Sequence, residues 1–141
     1  MIKVYLGGPF DERWKLKEMR DYLSTPINQF RVTSRWLDNE FPSNDSPTDE
    51  QKYELCAWNQ FDILQSDITV ILDPEEYQAK GTPGRHIEIG YAIAMRLPVI
   101  LIGQRRSVMH FDPLIRIMTI QKSFLEVKEE IERVYEEHWK R

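Results

Sequence analysis

The chain has 141 residues, 41% hydrophobic and 30% charged, with a formal net charge of −4. That length and balance fit one globular domain over residues 1–141, and the acidic surplus argues against a nucleic-acid polymer as partner, since phosphate contacts need clustered Lys and Arg. No apolar run approaches the roughly 20 residues of a membrane span. The single cysteine, Cys56, excludes an internal disulfide, so a reducing cytoplasm is the expected setting and a small buried apolar residue the expected role.

Residues 2–6 read as a buried strand that starts with no leader-like segment and ends at Gly7-Gly8-Pro9. A helix is expected over 12–23, broken before Pro26, and a strand over 30–36, which is rich in β-formers. Residues 37–48 are polar, carry Pro42 and Pro47, and read as a long loop. Residues 49–65 carry apolar residues at Leu55, Trp58, and Phe61 or Ile63, and so read as a helix. The apolar run 68–72 fits a central parallel strand. A loop over 73–83, a helix over 85–96, a strand over 98–102, a last strand over 115–120 and an amphipathic helix over 124–139 complete the series.

Alternating strands and helices predict a flavodoxin- or Rossmann-like α/β three-layer sandwich around a mostly parallel five-stranded sheet. Ligands bind such sheets at the carboxyl ends of the strands. The Gly-rich and polar loops 7–11, 73–84 and 103–110 fall there.

Two glycines, Gly7 and Gly8, allow a sharp bend and a close approach to a ligand, with Pro9 and Phe10 following. The segment is neither Gly-x-Gly-x-x-Gly nor a P-loop, which argues against a dinucleotide. Gly81-Thr82-Pro83-Gly84-Arg85-His86-Ile87-Glu88 leads into a helix whose first turn is expected to hold Glu88. The positive end of the helix dipole would favour the ionised carboxylate there, and an ionised carboxylate at a crevice can attack an electrophilic carbon. His86-Ile87-Glu88 is half of a zinc-deaminase motif, but no Pro-Cys-x-x-Cys follows, and His86, His110 and His138 lack metal-ligand spacing. Asn59 and Asp62 sit about one helical turn apart and could present an amide and a carboxylate to a heterocycle. Asp67 reads as a turn residue. Trp14, Trp36 and Trp58 are core or stacking candidates.

Three of these stretches together resemble the nucleoside 2-deoxyribosyltransferase-like family: Tyr5-Leu6-Gly7-Gly8-Pro9, the acidic helix running from Trp58 to Asp67, and Gly84-Arg85-His86-Ile87-Glu88-Ile89-Gly90-Tyr91-Ala92. The resemblance spans residues 2–112. It implies Glu88 as a nucleophile that attacks the anomeric carbon of a nucleoside or nucleotide, and Tyr5 as the group that holds it. A second base, or water, would resolve the glycosyl ester. It further implies Thr82 as a contact to sugar or phosphate, where a hydroxyl resembles the nucleotide-cleaving branch. Asn59 stands where many relatives carry an acid that assists the departing base, so Asp62 becomes a candidate for that task. Residues 104–113 resemble a stretch that reaches across a subunit interface, with Ser107, Met109 and His110 as candidates.

The expected protein is therefore an N-glycosidic-bond enzyme working without cofactor or metal. Its site would comprise Glu88, Tyr5, Asp62 and Asn59, with Gly7, Gly8, Pro9, Phe10, Thr82, Gly84, Arg85, His86 and His110 around the substrate. A homo-oligomer with sites near the subunit interface is expected. A nucleotide-binding sensor without the chemistry is the rival expectation.

Overall fold

The computed structural model describes residues 1–39, 47–74, 83–120 and 122–140. Among the described residues five strands are formed: β1 (Ile2–Gly7), β2 (Phe30–Val32), β3 (Ile68–Leu72), β4 (Val99–Ile102) and β5 (Ile115–Met118). Four helices connect or follow them: α1 (Arg13–Leu23), α2 (Asp49–Leu64), α3 (Pro83–Ala94) and α4 (Phe124–Trp139). The strands lie in the order β2-β1-β3-β4-β5. Every neighbouring pair is parallel, so the sheet is all-parallel rather than mostly so.

Successive side chains of a strand point to opposite faces, and this alternation sorts the core into two layers. Val4, Leu6, Val70 and Ile100 face α1 and α4, where Leu16, Met19, Val127 and Ile131 meet them. Tyr5, Ile71, Val99 and Leu101 face α2 and α3, against Ile63, Ile89 and Ala92. With both faces covered, β3 and β4 are buried along their whole length, which is why they read as unbroken apolar runs.

Local signals set the helix ends. Thr48 and Gln51 form a reciprocal capping box at the start of α2, and Ser123 and Glu126 form one at α4. α3 opens on Pro83, a position where the missing N–H costs nothing.

The strand expected over 30–36 stops at Val32. Its β-formers pack on a pleated surface, but pairing ends when side chains take over the ladder. Thr33 N–H still donates to Val4 C=O. Beyond it, the Leu6 N–H donates to Ser34 Oγ at 2.6 Å and the Leu6 C=O accepts from Trp36 Nε1 at 2.8 Å. Residues Arg35–Asp38 then wind into a 3-10 turn. Most of the loop expected over 37–48 lies outside the described residues. The last strand ends at Met118, two residues short of the expected 120.

Strand order reverses at β1, whose neighbours are β2 on one side and β3 on the other. A crevice therefore opens beyond the carboxyl ends of β1 and β3, at Gly7 and Leu72. Among the described residues, no helix is long and apolar enough to cross a membrane.

Ser34 is buried, and its hydroxyl is the acceptor for the Leu6 N–H at the site end of β1. Ser34→Ala leaves that N–H unpaired in the core. The expected loss is roughly 1–3 kcal/mol of stability, read by urea denaturation as a lower midpoint at unchanged slope.

Candidate functional site

β1 and α3 bring Tyr5, Gly7 and Glu88 together. Tyr5 is fully buried on the α2/α3 side of the sheet, and its hydroxyl donates to Glu88 Oε1 at 3.1 Å. Gly7, two residues on, points to the same face. A Cβ built there would lie 2.5 Å from Glu88 Oε2 and 2.7 Å from Ile71 Cδ1. Only a residue without a side chain lets the carboxylate lie against this strand end. Glu88 Oε2 is buried and, among the described residues, has no hydrogen-bond partner.

The electrostatics follow from this burial. Glu88 is pushed up from 4.5 to about 7 by desolvation, against the opposing pull of the Tyr5 hydrogen bond and the Arg85 charge. The Tyr5 phenol is raised well above its usual value, first by burial and then by Glu88, so it stays protonated and donates. This corrects the expectation that Glu88 lies in the first helical turn and is held ionised by the dipole. α3 begins at Pro83, no acid stands in its first turn, and Glu88 lies a turn further in. The dipole fades over that distance, so burial decides.

A cavity of about 220 Å³ opens between α2 and α3, with Cys56, Asn59, Ile63, Gly84, Glu88 and Tyr91 in its wall. The volume is below the ~300–1,000 Å³ that encloses a drug-sized ligand and suits part of a small one. Asn59 Oδ1 is buried there without a partner among the described residues. Cys56 is exposed, which corrects its expected burial. The buried side of α2 runs through Asp62 and Ile63, and Cys56 lies off that side, towards the cavity.

Asp62 is used differently. It is 3% exposed, and its carboxylate accepts from the Arg35 backbone N–H at 3.0 Å and from Arg35 Nε at 3.0 Å. The Arg35 guanidinium lies over Trp58 at 4.9 Å and Phe61 at 5.6 Å. Asp62 thus ties α2 to the turn after β2 and is not in the cavity wall. Asp67 caps the sheet, accepting from Lys3 N–H at 2.9 Å.

Of the remaining residues, Gly8 packs against Leu16 and Leu72 on the opposite face of the sheet from Glu88. Pro9 is buried, while Phe10 is half exposed beneath the Arg13 guanidinium. Trp14 is largely exposed, and Trp36 spends its indole N–H on Leu6. Gly81 and Thr82 lie outside the described residues.

Arg85 and His86 face the end of β3 and the loop after β4. Arg85 Nε donates to Asp73 Oδ1 at 2.9 Å, with both side chains buried. Arg106 Nε stands 3.2 Å from Asp73 Oδ2. Arg106 N–H donates to His110 Nδ1 at 2.9 Å, and the His110 ring stacks on His86 at 5.3 Å. Burial, then His86, lowers the His110 pKa, in keeping with a neutral ring that accepts at Nδ1. A second, largely apolar cavity of about 530 Å³ lies on this flank, with His86, Ile89, Arg106, Met109 and His110 in its wall. Sequence reasoning passed over Asp73 and Arg106. The available signal for Asp73 was a lone acid directly after the buried run 68–72. Arg106 had none beyond its loop. Among the described residues, no three His, Cys, Asp or Glu side chains are grouped to hold a metal.

No family model matches this sequence, and no curated protein does. Solved structures do. The structure of Clostridium botulinum CMP N-glycosidase, BcmB, is similar with a TM-score of 0.58 at 18% identity, over 93% of this chain and 98% of that one. A conserved protein from Enterococcus faecalis V583 is similar with a TM-score of 0.54 at 15% identity, over 94% of this chain and 98% of that one. At such identities the likeness is one of fold.

Tyr5→Phe removes the donor that favours the ionised carboxylate. The Glu88 pKa is expected to rise above about 7, read by carbon-13 NMR titration of labelled glutamate. Burial of Glu88 also links stability to pH. Between its unfolded value near 4.5 and its folded value of about 7, the native state binds more protons than the unfolded one. Stability attributable to Glu88 therefore falls as pH rises through that window and is level outside it. Glu88→Gln lifts this penalty. The variant should match the parent near pH 4.5 and exceed it by up to roughly 3 kcal/mol at about pH 8, measured by urea denaturation at both values.

Proposed function

We propose that this chain breaks the N-glycosidic bond of (deoxy)nucleosides or their 5′-phosphates, with Glu88 as nucleophile. The carrying observation is the carboxylate of Glu88, held by Tyr5 at 3.1 Å against bare Gly7 and bordering a cavity that also contains Asn59. Glu88 Oε2, free of any partner, is the oxygen available to attack C1′. The C1′–N bond breaks, its electron pair leaves with the base nitrogen, and a glycosyl ester forms on Glu88. Asn59 hydrogen-bonds the base but cannot supply a proton as an acid does, so the base takes its proton from solvent. An acceptor then attacks C1′ from the vacated side and releases the carboxylate, with configuration retained over the two displacements.

The fold likeness to a CMP N-glycosidase supports a nucleotide as substrate and water as acceptor, ahead of transfer to a second base. Gly84, at the start of α3 and in the cavity wall, offers its backbone to the sugar or phosphate, while the Arg85 guanidinium is committed to Asp73. A homo-oligomer with sites near its interface belongs to the same reading. Exposed Ile87, Val108 and Met109, on and beside α3, support it.

The test is a panel of nucleosides and 5′-monophosphates, with and without an acceptor base, separated by chromatography. Base release should rise with pH through about 7, as Glu88 ionises. Glu88→Ala should lower it at least about a thousandfold, and the intact parent should gain the mass of one glycosyl group during turnover. Release by Glu88→Ala at the parent rate would end this reading. Tight nucleotide binding with no release by the parent would favour a sensor instead.

A further inference from the structure

Asp73 follows directly on β3 and is 1% exposed. Two guanidiniums share it. Arg85 Nε donates to Oδ1 at 2.9 Å, and Arg106 stands 3.2 Å from Oδ2 while its Nη2 donates to the Asp73 carbonyl. The backbone is fixed as well. Asp73 N–H donates to Ile102 C=O, and Gly103 approaches so closely that a Cβ there would lie 2.6 Å from the Asp73 carbonyl oxygen.

Arg85 also stands three residues before Glu88 on α3, a spacing that makes neighbours on the helix surface. It bonds Asp73 and bears on Glu88 through its charge. Among the described residues its Nη1 is buried with no partner, and so is Glu88 Oε2. A cationic donor and an acidic acceptor, both unpaired and about one turn apart, would gain a charge-assisted hydrogen bond by closing. The bond from Arg85 Nε to Asp73 is the restraint that opposes it.

We propose that Asp73 is a positioning residue for Glu88: it holds the Arg85 guanidinium at the end of β3 and so leaves Glu88 Oε2 open. Among the described residues, the charged and titratable groups that bear on Glu88 are these. Tyr5 faces it from β1 and Arg85 from its own helix, while Asp62 on α2 acts on Tyr5. The inference rests on Glu88 being the reactive group, but its test does not depend on turnover.

The experiment is a carbon-13 titration of the full chain labelled at glutamate, with the Glu88 resonance assigned by Glu88→Gln. In Asp73→Asn, Arg85 is released onto Glu88, and the Glu88 pKa should fall by at least about half a unit. The rescue variant Asp73→Glu should recover most of that fall, and Asp73→Asn/Arg85→Met should abolish it. A smaller fall in Asp73→Asn, or a fall that persists in the double variant, overturns the proposal. Should Asp73→Asn fail to fold, Arg85→Met alone decides. With Arg85 held away, its loss should raise the Glu88 pKa by less than about half a unit, and a larger rise means that Arg85 already pairs with Glu88 and overturns it. If the parent releases no base, the titration still gives its answer, so the two readings fail separately. Where base release is seen, its acid limb should move with the titration, which a merely structural role for Asp73 would not produce.

Discussion

A carboxylate buried without a cation bonded to it is an unfavourable thing to build, because the charged form loses its water and gains little in return. Glu88 is such a group, and much of the structure's site end is arranged around it. One oxygen rests on the Tyr5 hydroxyl, and the other lies against the bare backbone of Gly7 with no partner. The guanidinium whose charge bears on it, that of Arg85, is bonded to Asp73. The acidity that results is not a helix-end effect but a contest of burial against the Tyr5 hydrogen bond and the Arg85 charge, and burial wins.

The sheet makes this arrangement possible through its simplest property. Along β1, Tyr5 and Gly7 share a face while Leu6 and Gly8 share the other. One strand end therefore serves both layers. Tyr5 and Gly7 receive the carboxylate from α3, and Gly8 seats Leu16 of α1 and Leu72 of β3. The two consecutive glycines have distinct reasons for lacking a side chain, and neither reason is a positive backbone angle, since among the described residues Gly103 is the only glycine with one. Because β2 ends early, the Leu6 amide and carbonyl are satisfied by Ser34 and Trp36. The end of β1 is thus fixed by side chains of the turn that follows β2, and Asp62 fixes that turn to α2 through Arg35. The acid that spacing placed beside Asn59 spends its charge on holding the frame.

Periodicity and punctuation carried most of the fold. Helices α2 and α4 and strands β3 and β4 lie where their apolar spacing and caps put them, because each signal is local. Two things were not local. The length of β2 depended on which partner the Leu6 backbone would take, a choice made by residues 28 and 30 positions away. The environment of Glu88 depended on where α3 begins, and a two-residue shift to Pro83 removed it from the first turn. Tyr5 and Glu88, 83 residues apart, were paired by resemblance rather than by spacing, and they meet at 3.1 Å. Asp73 was invisible for the opposite reason. A single acid after a strand says nothing until the two arginines that reach it, one from a helix and one from a loop, are brought in by the fold.

The acidity of Glu88 also bears on why such a group would be buried at all. In a double displacement the same oxygen first attacks C1′ and later departs from it. A strongly basic carboxylate attacks well but leaves slowly, and a weakly basic one does the reverse. A value of about 7 sits between these demands at neutral pH, where a good part of the population is ionised and the ester is still a reasonable leaving group. A bonded guanidinium would pull the group back towards an ordinary carboxylate, easing its burial but weakening its attack. Under the proposed chemistry, the instability of an unpaired Glu88 is therefore part of its function. It persists because the cation that would relieve it is held by Asp73.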